Sequence, residues 1–364
     1  MFSFGDGLFT FLLPVFISEL NAAPADIGIL YAVYNLSWGI TLMSGGFLAD
    51  RFDQKKIMIL GSLLWAPVPL IFAVATDWNQ LWLPMILYGT YFGSASCSVC
   101  ILRSTPREKV MQAFGIWSAS VGLGYVFSPI VGGLLSSILG KQTVFFLAAL
   151  FFGVSTIPLA FIGKYKQKKP VETEIKSDFD PQSTNTNNRL RIIGLCVFFA
   201  IIMFAVFLLN PLIPQYTHGV YHQSIFNLGV FGTAASAGWV FFAVAFGRIG
   251  DKRSKMTVVL ASTAITSISF LLIVMINNFP LLCLASFLSG ASSAIFGFMQ
   301  AIIGSAAPDR SAGRWISVSQ TSVTIAVFGA PIIGGVLYEV SPFLAFSVAI
   351  IVLFTLTIVG ILKK

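Results

Sequence analysis

Apolar stretches long enough to cross a membrane recur along the whole chain. They fall at residues 2–19, 27–48, 57–76, 80–102, 111–139, 143–163, 192–216, 225–247, 256–276, 279–305, 313–337 and 342–362. A spanning helix needs about 20 mostly apolar residues, so the pattern predicts an all-α membrane protein with about twelve transmembrane helices. One polar segment interrupts it, KYKQKKPVETEIKSDFDPQSTNTNNRLR at 164–191. It carries almost nothing to bury and reads as a flexible, disordered linker. It divides the spans six and six, giving an N-terminal half at 1–163 and a C-terminal half at 192–364. The opening MFSFGDGLFTFLLPVF lacks the basic start and small-residue cleavage site of a signal peptide, and reads as a retained span.

Composition agrees with this pattern. Charged residues make up 10% of the chain, against about 25% in a soluble domain, too few to coat a water-facing globule. The net charge of +8 could suggest nucleic acid, but the placement of the basic residues points elsewhere. With the linker assigned to the cytoplasm and the spans alternating outward from it, all but Lys141 of the 22 Lys and Arg residues fall on the cytoplasmic side. That is the positive-inside bias. It predicts both termini in the cytoplasm of a cell-membrane protein and leaves no nucleic-acid surface.

The two halves repeat. Gly28 and Asp50 have counterparts in Gly229 and Asp251, and Pro14 in Pro214. Pro106 matches Pro308, and Pro129-Ile-Val-Gly-Gly matches Pro331-Ile-Ile-Gly-Gly, all at offsets of 200–202 residues. Such steady register implies duplication. Two six-span halves related by an axis along the membrane normal are a recurring transporter plan, with the substrate site between them near the midplane.

Two motifs carry a family resemblance. Gly46-Phe-Leu-Ala-Asp50-Arg51-Phe-Asp53-Gln54-Lys55-Lys56 resembles the G-x-L-a-D-R-x-G-R-K loop between spans two and three of the major facilitator superfamily, with Asp53 and Gln54 as departures. Gly247 to Lys255 is similar to the degenerate second copy. Gly115, Gly124, Ser128, Pro129, Gly132 and Gly133 resemble the span-five pattern G-x8-G-x3-G-P-x2-G-G, with Ser128 in place of Gly. In that family the second motif accompanies proton-driven exporters. The resemblance covers the whole chain. It implies that Asp50 meets the start of span eleven beside Arg310 and Arg314, and the repeat implies a mirrored contact from Asp251 to the start of span five near Arg107 and Lys109. A helix N-terminus is partly positive, so such contacts would latch the halves; the plainer reading is that these charges only orient the chain. For the span-five glycines, close helix packing stands beside a sealing role.

The remaining chemistry is sparse. Cys97, Cys100, Cys196 and Cys283 lie in spans and read as small packing residues, and His218 and His222 as solvated loop residues. No metal or cofactor site is expected. Of 14 acidic residues, all but Asp6 map to loops or span ends, and no Lys or Arg falls mid-span. Asp6 lies only about 8 Å along the helix counted from Met1. Aligned through the repeat it falls near Val206 or Phe207, at mid-membrane. On that register span one lacks its cytoplasmic part: either the chain begins within the bilayer or its start lies upstream. A carboxylate at the bilayer centre costs about 2.5–3.5 kcal/mol on insertion scales, which makes it a functional candidate by default. The alternative is a surface Asp at a helix start. The family's cavity spans are one, four, seven and ten, which adds Thr10, Tyr88, Tyr91, Asn210 and Gln300 as lining candidates. The expected function is secondary active transport: proton-coupled export of neutral or cationic amphipathic small molecules by a monomer. The alternatives are a facilitator or symporter for a small metabolite, or a non-transporting sensor or scaffold. A membrane enzyme is disfavoured because the spans hold no His, Asp or Glu cluster.

Overall fold

A computed structural model describes residues 1–51, 54–90, 105, 109–161, 186–252, 254–307 and 312–362; side chains at 42–51, 54–58, 158–161, 186–188, 312–314 and 317 are outside the description. Within it the chain is helical, and no strand is present among the described residues. Seven helical stretches are long and apolar enough to cross a membrane by length and composition alone, from Val110–Leu139 through Pro342–Leu362. The rest of the twelve spans are interrupted by turns or run into residues outside the description.

Spans one and seven are broken at matching places in the repeat. Span one is two helices, Phe2–Gly7 and Leu13–Glu19, joined by a turn. Span seven is Thr186–Leu209 followed by Leu212–Gly219. Pro14 sits in the first turn of the second helix of span one, where its missing N–H costs nothing. Span seven begins at Thr186, ahead of its apolar stretch, so the helix reaches into the polar segment. Span two is one helix, Pro24–Arg51, and span eight is Ile225–Lys252. Span five is Val110–Val126 and Ser128–Leu139, broken at Phe127 ahead of Pro129. The Ile130 N–H freed there donates to Thr233 Oγ1 of span eight at 3.2 Å. Span ten is Phe279–Ala306 and span eleven Ala312–Val340.

Two buried clusters form the core. One is built on Leu8 to Phe152 and the other on Ile192 to Leu353. Each borrows from the opposite half: Leu228, Phe231 and Leu282 join the first, and Met111 and Phe114 the second. Spans two and eleven, and five and eight, make the most extensive contacts. Lipid supplies no hydrophobic drive for helix association, so these seams rest on close backbone approach at small residues. A Cβ on Gly28 would lie 2.2 Å from the Pro331 carbonyl oxygen, and one on Gly229 2.4 Å from that of Pro129. These are the same contact made twice by the repeat. Large apolar side chains such as Ile138, Met275 and Phe354 point outward, as a lipid-facing surface requires.

Candidate functional site

Packing of span one onto span five creates the site. A Cβ on Gly124 would fall 2.4 Å from Ser3 Cβ, one on Gly7 2.9 Å from the Tyr125 ring, and one on Gly132 1.8 Å from the Leu8 carbonyl oxygen. Gly124 and Gly132 of the span-five motif, with Gly7, therefore let the two backbones close up around Asp6. Tyr125 lies midway between Val110 and Leu139, the ends of span five, so Asp6 sits level with the middle of that span.

Asp6 is buried, only 5% exposed. Tyr88 from span four donates its hydroxyl to Asp6 Oδ1 at 2.5 Å, and Tyr125 from span five donates to Oδ2. Thr10, one turn on, donates to the Asp6 carbonyl oxygen at 2.7 Å and lies 3.4 Å from the Tyr88 hydroxyl. That carbonyl also accepts from the Thr10 N–H at 3.2 Å, so Thr10 is tied to Asp6 through both its backbone and its side chain. Tyr88 is wedged among rings: Tyr34 at 4.8 Å, Trp65 at 5.1 Å and Phe9 at 5.6 Å between centroids. Tyr31 of span two lies 6.3 Å from Tyr34 between centroids, extending the ring cluster. No described Lys, Arg or His pairs with Asp6. A carboxylate oxygen can accept two hydrogen bonds, so one hydroxyl on each leaves room for a proton or a cationic donor.

Of the residues picked out in the sequence, the structure brings together Asp6, Thr10 and Tyr88. Asn210 stands exposed at the break in span seven, and Gln300 is buried with its Oε1 unpartnered; neither hydrogen-bonds with the Asp6 cluster. Tyr91 lies outside the described residues. Sequence reasoning passed over Tyr125, although it adjoins Gly124 inside the span-five motif, and over the pair Tyr31 and Tyr34 one turn apart.

The second motif copy is well defined. Asp251, at the end of span eight, accepts from Met111 N at 3.0 Å and from Gln112 N at 2.8 Å, capping the first turn of span five. Gly247 lies against the same turn, where its Cβ would come 3.0 Å from the Met111 carbonyl oxygen. The Ala243 carbonyl faces Gly115. In the first copy, Gly46, Asp50 and Arg51 belong to the span-two helix, and Lys55 and Arg314 also lie in helices, but their side chains are outside the description. Arg107 and Arg310 lie outside the described residues altogether, as do Cys97 and Cys100. At the opposite membrane face Ala25 N donates to Glu339 Oε1 at 3.0 Å, joining spans two and eleven. Lys141 pairs with Glu19. His218 Nδ1 bonds the Gln223 carbonyl at 2.7 Å. No group of three or more metal-ligating side chains occurs among the described residues.

Comparison with known proteins agrees with the geometry. The chain is 24% identical over 347 residues to the quinolone resistance protein NorA of Staphylococcus aureus (strain COL), covering 92% of this chain and 87% of that protein. It is 28% identical over 162 residues to multidrug resistance protein 2 of Bacillus subtilis (strain 168), covering 44% of this chain and 40% of that one. Among solved structures the fold matches a point mutant of the nucleoside transporter NupG, with TM-score 0.76 at 11% identity. The match covers 99% of this chain and 96% of that one. The human organic anion transporter MFSD10 matches with TM-score 0.70 at 14% identity over the same shares. The Major Facilitator Superfamily sequence model matches residues 1–276 and again 195–363. The chain belongs to that superfamily, as a multi-pass membrane transporter of small molecules.

Proposed function

We propose that this transporter is a proton-coupled exporter of neutral or cationic amphipathic molecules. One observation carries the reading: a buried carboxylate level with the middle of span five, Asp6, held by two tyrosine hydroxyls and faced by no described cation. An unpaired charge at that depth is retained where it moves ions or meets a charged substrate. The aromatic rings around it suit a cation, whose charge they attract. The absence of a mid-span Lys or Arg in the sequence leaves phosphate esters and dicarboxylates without a counter-charge. The printed names of the NorA and multidrug resistance relatives favour export.

On this reading Asp6 alternates between a proton and substrate, and the two halves, 1–163 and 192–364, rock about it as a monomer in the cell membrane. Segment 164–191 and both termini lie in the cytoplasm. Asp251, with Gly247 and Gly115, latches spans five and eight on that side, and Asp50 with Arg310 and Arg314 does the same for spans two and eleven. Gly124, Ser128 and Gly132 hold span one in place, and Pro129 and Gly133 seat span five on span eight.

The test is flux into proteoliposomes holding the purified protein. Tetraphenylphosphonium should accumulate against its gradient when a pH gradient is imposed, and not without one. Glycerol 3-phosphate and succinate should fail to compete. Preferential binding of either anion, or accumulation indifferent to the pH gradient, would contradict the reading.

A further inference from the structure

Tyr125 touches both halves of the transporter. Its hydroxyl donates to Asp6 in span one, and its ring lies 5.7 Å from that of Trp239 in span eight, measured between centroids. Ser118, Gly122 and Tyr125 share one face of span five, spaced a turn or two apart, and together they cradle the Trp239 indole. Trp239 Nε1 donates to Ser118 Oγ at 2.7 Å. A Cβ on Gly122 would reach 3.2 Å from Trp239 Cδ2. On its far side the Trp239 backbone is pressed by span ten, where a Cβ on Gly290 would lie 2.2 Å from Trp239 N. The indole is therefore clamped, and a change at Tyr125 is felt at the seam between the halves. Tyr88, the other donor to Asp6, is wedged by rings of its own half, namely Phe9, Tyr34, Trp65 and Phe72.

We propose that Tyr125 is the positioning residue that passes the protonation state of Asp6 to the Trp239 clamp between spans five and eight. The inference rests on the assignment of Asp6 as the proton site. With Asp6 ionised, both carboxylate oxygens accept hydroxyl hydrogens. A proton arriving on Oδ2 occupies its second lone pair and cancels the charge, so Tyr125 is left donating to a neutral carboxylic-acid oxygen, a weak acceptor. A charge-assisted bond, about twice as strong as a neutral one, is thereby lost, and the ring is free to leave the indole. No covalent bond other than O–H changes, and the proton returns to water when Asp6 releases it.

The titratable groups around Asp6 are Tyr88 from span four and Tyr125 from span five, which bond it, and Tyr34 and Tyr31 from span two, in ring contact behind Tyr88. Spans three and six present the rings of Trp65, Phe151 and Phe152 to this helix. The described charges of span eight, Arg248, Asp251 and Lys252, sit at its far end. The pH response therefore belongs to Asp6.

The experiment measures two quantities on the purified, reconstituted protein. One is the pH-dependent fluorescence of Trp239, taken as the difference between the parent and Trp239→Phe. The other is the ratio of pH-driven accumulation to substrate counterflow. Asp6→Asn should abolish the fluorescence change. Tyr125→Phe, which keeps the ring, should also abolish it and lower the ratio at least about fivefold, the low end of allosteric couplings. Tyr88→Phe should keep the change with a displaced midpoint. Should Tyr125→Phe fail to fold, Ser118→Ala, which removes only the indole anchor, should lower the ratio in the same direction. If Asp6→Asn silences the signal while Tyr125→Phe or Ser118→Ala leaves signal and ratio intact, the relay is overturned and the Asp6 assignment stands. If Asp6→Asn leaves both intact, the Asp6 assignment fails and the relay with it.

Discussion

Replacing Asp251 with Asn should open the seam between spans five and eight at the end that carries it. The carboxylate accepts two backbone N–H groups, from Met111 at 3.0 Å and Gln112 at 2.8 Å. These belong to the first turn of a helix, where no intrahelical acceptor exists and the helix end is partly positive. Hydrogen bonds to a charged group contribute about 1.5–3 kcal/mol each. Asp251 is only half-buried, so water competes and the lower end applies. Asn keeps one acceptor oxygen and sets an NH2 against the other N–H, losing one bond and the charge. A loss of about 1–2 kcal/mol lowers the ratio of closed to open states by about 5–30-fold. Spin labels at Lys109→Cys and Arg191→Cys in a cysteine-free background would read the change as a longer distance component in the Asn variant. An unchanged distance distribution with undiminished transport would leave Asp251 as a helix cap alone, with no latch between the spans.

Other outcomes follow from packing and charge. Gly132→Ala drives a Cβ to 1.8 Å from the Leu8 carbonyl oxygen and should cost about 1–3 kcal/mol, as overpacking does, seen as a lower Tm in detergent. Gly153→Ala, with nothing within 4 Å of its Cβ, should be neutral or raise the Tm, since Ala favours a helix by about 1 kcal/mol. Gln142→Cys, exposed beside Lys141, should react with an impermeant thiol reagent on intact cells, and Lys166→Cys should not; the reverse pattern would sink the assigned orientation.

The fold was legible because each span is an uninterrupted apolar run, and the repeat added the order of the halves. The break within span one was not legible, because the turn at Leu8–Leu12 sits in a run interrupted only by Thr10. That in span seven falls on Asn210-Pro211, a turn-forming dipeptide that the apolar run around it masks. Within the site, Asp6 stood out as the lone acid of the spans, and Thr10 shares its helix. The partners of its carboxylate lie 82 and 119 residues away in sequence. Tyr88 was reachable through the family's cavity spans. Tyr125 was not, because it faces Asp6 only once Gly7, Gly124 and Gly132 let spans one and five close, and no local pattern encodes that approach. The Trp239 clamp is a contact across the halves, set by spans that the sequence could order but not rotate.

Whether Asp6 carries the proton is decided by accumulation in Asp6→Asn protein under an imposed pH gradient. Asn keeps the size of the side chain and an acceptor for one tyrosine, but it cannot take up and release a proton. Proteoliposomes carrying this variant should show no proton-driven accumulation of tetraphenylphosphonium above the level without a gradient, while the protein remains folded and monodisperse. Accumulation equal to that of the parent protein would contradict the account.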